Sequence, residues 1–256
     1  MDGIIERKSG GVLILEVRSL SNELKAKIKS ELVTICHGEY ALTSRFHYHS
    51  FSKTVQELLN YRIPKSKNKT MGAIGELLLN ILLRDFTDFK VVSPFFNLEE
   101  RNVKKGFDII AVDSKRDLWI IESKAGSPSG KQNTSTAKAK ERINFAKRDL
   151  NKRLNSTNSQ LWLNAINSVR SALDDSSEKE TIVNILNDTS SSNSSTDKNV
   201  ILSGTVFCKF DCTIDETQLE KVYQSILHSN AFSNVRLIAI QKQTYQAIVD
   251  FLSTLT

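Results

Sequence analysis

Between Gly106 and Ala125 the chain reads GFDIIAVDSKRDLWIIESKA. Asp108, Glu122 and Lys124 stand there at positions where a buried strand would carry Val or Ile. Two apolar runs, FDIIAV and LWII, flank the charged centre DSKRD, so the segment reads as a hairpin turning at Lys115. Symmetric antiparallel pairing about Lys115 sets Asp113 opposite Asp117 and Asp108 opposite Glu122. Carboxylates directly opposed in this way have Cβ atoms roughly 5 Å apart. They repel each other, and each loses water on burial. A divalent cation between them relieves both costs, and Mg²⁺ takes such a set: one or two carboxylates, waters and a substrate phosphate. An ion there polarises a phosphate and acidifies a bound water. Alternation puts Glu122 and Lys124 on one face of their strand, so Lys124 is placed to orient that water or to neutralise charge as it develops. A plainer reading stays open beside this one. Asp108 would open a strand, and Glu122 and Lys124 would form an ordinary ion pair at a sheet edge.

Glu76 is a second unusual acid. It lies in GAIGELLLNILL, on a helix apolar nearly all round, where a glutamate needs a partner. A glutamate near a helix start, favoured by the dipole, is the alternative. Helix-borne Glu76, then GFD with Asp108, then IIESKA with Glu122 and Lys124, resembles the PD-(D/E)xK nuclease superfamily. Phe107 replaces the Pro of the eponymous Pro-Asp. The resemblance implies a restriction-endonuclease-like α/β fold, a mixed central sheet flanked by helices, that cleaves phosphodiesters with Mg²⁺, with Mn²⁺ as a substitute. It implies Asp108 and Glu122 as metal ligands, Lys124 as the catalytic lysine, and Glu76 as the helix glutamate supporting the metal. The order of elements is similar to that of the HamA family, the nuclease subunit of Hachiman anti-phage defence. That likeness rests on motifs across residues 67–126. It implies DNA as substrate and a superfamily 2 helicase partner, HamB, that restrains the nuclease.

Charge is unevenly spread. The chain carries +6 overall. From Lys131 to Arg153 there are eight basic and two acidic residues, and YRIPKSKNKT, residues 61–70, adds four basics and no acid. Concentrated positive charge suits a polyanion, although a solvated helix face would look the same. Lys131, Lys138, Lys140, Lys147, Arg148, Lys65 and Lys67 are the candidates to hold a nucleic-acid backbone, which would give little base specificity.

The elements that must position these groups can be read from periodicity. GVLILEVRSL reads as a strand and NELKAKIKSELVTIC as a helix capped by Ser21 or Asn22. ALTSRFHYHSF looks like a strand, which would put His47 and His49 on one face, in a surface or interface role. Residues 52–61 look helical, and Pro64 with KSKNKT breaks the pattern. MGAIGELLLNILLRDF is a buried helix, and FKVVSPFFNL a strand cut by Pro94. After the hairpin come a loop, a basic helix over 136–154 with Ile143, Ala146, Leu150 and Leu154 as its apolar stripe, and a helix over 159–173. Residues 187–199, rich in Ser and Asn, read as a flexible surface loop. The tail alternates strand, helix, strand, helix. Trp119 alternates away from Glu122 and belongs to the core. The chain divides into residues 1–66, a partner-facing α/β region, and 67–256, the nuclease-like domain.

Several classes are excluded. No run of about 18 apolar residues exists, so no membrane span is expected. A secretory signal is not expected from MDGIIERKSGG. Three cysteines argue against a disulfide framework, and Cys208 with Cys212 lacks a second ligand pair for zinc. A cytoplasmic protein with no small-molecule cofactor is the expectation; GAIG is too short for a phosphate loop, and no nucleophile elbow appears.

Overall fold

The computed structural model describes residues 1–96, 106–157 and 159–256. The chain opens with strands β1 (Ile4–Ser9) and β2 (Val12–Val17). Helix α1 (Asn22–His37) follows, its first turn capped by Ser21 Oγ accepting the Leu24 N–H. After it come α2 (Tyr40–Thr43), a 3-10 turn at His47–His49, α3 (Phe51–Glu57) with a π-helical continuation, Leu58–Arg62, and the long helix α4 (Lys67–Phe86). Strands β3 (Lys90–Val91), β4 (Ile109–Val112) and β5 (Leu118–Gly126) precede α5 (Ser135–Leu154), α6 (Gln160–Ala172) and α7 (Ser176–Ser190). Strand β6 (Asn199–Phe207), α8 (Glu216–His228), β7 (Asn234–Lys242) and α9 (Gln246–Ser253) complete the chain.

All seven strands form one mixed sheet in the order β1-β2-β7-β6-β5-β4-β3. The four central strands, β2, β7, β6 and β5, run parallel, and the outer pairings are antiparallel. Parallel strands need crossover helices, and these cover both faces. Helices α5, α6, α7 and α8 bury their apolar stripes on one face, and α1, α3, α4 and α9 on the other. Two glycines let the helices come close to the central strands. A Cβ at Gly75 of α4 would meet Ala125 Cβ at 2.7 Å, and one at Gly204 of β6 would meet the Ala139 carbonyl of α5 at 3.0 Å. So α4 and α5 clamp β5 and β6 from opposite sides.

The hairpin has the register expected of a turn at Lys115: Ile109 pairs with Ile121 and Val112 with Leu118. The basic helix, α1, α4 and the alternating tail also match their periodicities. Other segments differ. Residues 41–51 form short helical turns rather than a strand; the aromatic residues there have β propensity, but no neighbouring strand is there to pair with them. FKVVSPFFNL gives only the two residues of β3, because Pro94 cannot donate to a ladder; its last two residues, Asn97 and Leu98, lie outside the described residues. The 187–199 stretch is not loop throughout. It continues α7 to Ser190, and it turns back through a 3-10 segment whose Ser195 is buried and bonded to Asn151 of α5 and to Asn155, which caps that helix. Helix α4 starts at Lys67, inside the polar run that reads as a break. Among the described residues no helix is long and apolar enough to cross a membrane.

At the end of α1, His37 bonds Thr54 Oγ1 at 3.0 Å and packs on the rings of His49 and Phe96. Burial, reinforced by His49 and Arg62, pulls its pKa from 6.5 down to about 4. The unfolded chain therefore binds this proton more tightly than the folded one. The stability contributed by neutral His37 is complete above about pH 6.5 and is lost as pH falls from there through about 4. His37→Gln keeps an N–H for Thr54 but cannot titrate. Its melting temperature should fall less than the parent's between about pH 7 and about pH 5; equal falls would contradict this role for His37.

Candidate active site

Strand β5 begins with LWII, buried between β4 and β6, and its pairing with β6 continues to Gly126. Its pairing with β4 stops at Ile109–Ile121. Beyond that point the next β5 donor, the Ser123 N–H, has no strand to bond. Asp108 meets this need: its Oδ2 accepts the Ser123 N–H at 2.8 Å. The aspartate thus closes the ladder where β4 and β5 part.

Glu122 lies at the same parting. It shares a face with Leu118 and Ile120, so its side chain points under α5, and it is 1% exposed. A carboxylate buried this deeply must be paired. Lys124 Nζ bonds its Oε1 at 2.6 Å, and the Arg153 guanidinium of α5 donates to its Oε2. Lys124 also pairs with Asp149 Oδ2 at 2.9 Å. Arg153 reaches across the gap as well, its Nη1 donating to the Gly106 carbonyl at 2.8 Å. Burial lowers the Arg153 pKa, and the charge of Asp108 works against that shift. Arg153 is therefore the local counter-charge to both carboxylates. Among the described residues, three carboxylates (Asp108, Glu122 and Asp149) and two cations (Lys124 and Arg153) meet here.

The structure brings Asp108, Glu122 and Lys124 together. Glu76 is half-buried on α4, the helix that covers the opposite face of β5. Among the described residues no three His, Cys, Asp or Glu side chains are grouped closely enough to hold an ion. The donor chemistry of the hairpin pair nevertheless suits a hard divalent cation, because both groups are carboxylates, one just before β4 and one within β5. Arg153 supplies the positive charge that such an ion would bring.

The basic candidates fall into two groups. Lys131, Arg148, Lys65 and Lys67 are exposed. Lys65 and Lys67 flank the start of α4, where Met71 Sδ lies 3.3 Å from Ser127 Oγ, just past β5. By contrast, Lys138 is only 5% exposed and bonds Glu141 at 2.7 Å, so its charge is neutralised below the surface. Lys140 and Lys147 reach across to Gln218 and Ser229 of the α8 region. His47 and His49 do not share a strand face: His47 is exposed on the 3-10 turn, and half-buried His49 stacks against His37. Arg153 and Asp149 are the site residues that sequence reasoning missed. An acid and a base four apart, each one position before a residue of the apolar stripe, was the available signal.

Arg153→Ala would leave Glu122 buried with one cation instead of two. The pair is partly open, so the expected loss is about 2–3 kcal/mol in denaturant melts without divalent ions. An unchanged midpoint would show that Glu122 does not depend on Arg153.

Comparison with known proteins bears on the whole chain. No curated protein matches it. The HamA family model matches residues 5–254, nearly its full length, taking in both the hairpin and the strands β1 and β2. The chain belongs to the HamA family, that of a subunit of Hachiman anti-phage defence.

Proposed function

We propose that the chain is a metal-dependent deoxyribonuclease of PD-(D/E)xK type, cytoplasmic and controlled by a helicase partner within a Hachiman complex. The observation that carries this reading is the meeting of Asp108, Glu122 and Lys124 where β4 and β5 part. Asp108 and Glu122 would hold Mg²⁺, or Mn²⁺ in its place; Glu76, on α4 across β5 from Glu122, is proposed only as a supporting charge. The ion, when bound, supplies Lewis acidity and a more acidic water.

The chain's own residues do the rest. Lys124, fixed at 2.6 Å from Glu122, orients the attacking water and meets the negative charge that grows on the phosphate oxygens. Glu122 would hold an ion in place of its bond to Arg153. The released guanidinium has the planar fork that grips phosphate, so the same side chain can pass from counter-ion to substrate contact. Exposed Lys65, Lys67, Lys131 and Arg148 hold backbone phosphates without reading bases.

A second reading, a DNA clamp or docking subunit without catalysis, is favoured by one observation: both oxygens of Glu122 already have cationic partners. Cleavage of plasmid and linear DNA separates the two. With Mg²⁺ or Mn²⁺ the nuclease should cut, EDTA should stop it, and Glu122→Ala and Lys124→Ala should each lower the rate by about 100-fold or more. Salt-sensitive DNA binding without cutting, even with Mn²⁺ and with a co-expressed helicase partner, would favour the clamp.

A further inference from the structure

We infer that residues 40–48 form a stacking platform for single-stranded nucleic acid, an inference that rests on the nuclease reading for its purpose but not for its test. Among the described residues the large exposed hydrophobic side chains number seven, and four of them fall in this one stretch: Tyr40 (38% exposed), Leu42 (66%), Phe46 (62%) and Tyr48 (77%). Their chemistry is not that of a plain apolar patch. Three are aromatic, and Arg45 and His47, both exposed, are interleaved with them. From Tyr40 to Lys53 there is no acidic residue, while Arg45 and Lys53 bring two permanent positive charges. The acids at its border, Glu39 and Asp174, are bonded to Lys90 and to Thr43. Aromatic faces interleaved with cations are what unpaired bases and their phosphates require.

The platform is held in shape from below. The His49 ring lies 5.8 Å from Phe46 and 6.1 Å from Tyr40, edge to face, and rests in turn on His37 at 4.9 Å. His37 meets buried Phe96 at 5.0 Å, and the Arg62 guanidinium lies over Phe96 at 4.9 Å. The His49 N–H to Phe46 carbonyl bond, 2.9 Å, and the Ser50 N–H to His47 carbonyl bond, 3.1 Å, fix the turn. Tyr40 and Phe46, ordered by His49, lose little freedom when a base stacks on them, and Tyr48 meets only the exposed His47 ring, at 6.0 Å.

Helix α6 connects the platform to the hairpin. At one end Gly38, two residues before Tyr40, packs against Ala172, and Thr43 bonds Asp174 just beyond the helix. At the other end Asn164 lies beside Gly106, whose carbonyl holds Arg153. Ala172 and Asn164 are eight residues apart on one helix, roughly 12 Å. A strand stacked on Phe46 and Tyr48 can thus extend along α6 toward Asp108 and Glu122. Duplex bases have their faces covered by their neighbours, so this platform selects unpaired strand.

The test is fluorescence polarisation of labelled oligothymidylate with the full chain, in EDTA so that no cleavage occurs, alongside a duplex of the same length. The double variant Phe46→Ala/Tyr48→Ala should bind the oligothymidylate about 10-fold more weakly or worse, with duplex binding little changed. Phe46→Tyr/Tyr48→Phe, which keeps both rings, should bind as the parent does. Equal loss on both ligands, unchanged binding by the alanine variant, or no binding of oligothymidylate by the parent would overturn the inference; unchanged binding would assign the patch to a protein partner. Failure of metal-dependent cleavage would bear on the nuclease reading alone, because this assay contains no metal.

Discussion

A carboxylate buried on a central strand must find positive charge or surrender its own. Glu122 finds it twice, in Lys124 two residues along the same face and in Arg153 from the last turn of α5. That requirement organises its surroundings. It holds the end of α5 against the mouth of the hairpin, and it draws Lys124 between Glu122 and Asp149. Through the bond from Arg153 to the Gly106 carbonyl it also ties down the chain just before Asp108. A guanidinium is a serviceable counter-ion, but its bonds are exchangeable for those of a metal. Under the proposed function, Arg153 keeps the site closed until an ion and a phosphate replace it.

The fold supplies what this arrangement needs. Parallel strands β5 and β6 remain paired past Glu122, while the pairing with β4 ends at Ile109, so among the described residues β5 keeps a strand partner on one side only. Asp108 fills the opening by taking a backbone N–H that the ladder no longer uses. Close approach at Gly75 and Gly204 brings α4 and α5 onto the same two strands from opposite faces. Polar chemistry therefore sits at the edge of two well-packed cores rather than on a loose loop, the condition for holding charged groups in fixed geometry.

Much of this was legible in the sequence, for identifiable reasons. The hairpin could be registered because two apolar runs flank a turn of clear polarity, and one choice of centre sets every pairing. Helix α1 announces itself by its cap and its 3.6-residue stripe, and α5 by its stripe. Strand β1 was not legible, because IIERKS lies on an exposed edge and half its residues face water. The aromatic stretch at residues 41–51 misled by propensity: its rings gather on one another through His49 and not on a neighbouring strand. Helix α7 was hidden by its short apolar stripe, Ile182, Val183 and Leu186, within a run of polar residues. In α5 the count of positive charges concealed a division of labour. Lys138 pairs with Glu141 three residues on, a spacing the sequence shows while hiding that Lys138 is buried, and Arg153 pairs with Glu122 across 31 residues, which spacing does not reveal.

The central claim is that Glu122 and Asp108 together accept a divalent cation in exchange for Arg153. Anomalous diffraction from crystals grown with Mn²⁺ tests it directly. The account predicts a single strong anomalous peak bonded to a carboxylate oxygen of each residue, with the Arg153 guanidinium withdrawn from Glu122. A map with no peak there, or with Arg153 still bonded to Glu122 while Mn²⁺ sits elsewhere, would contradict it.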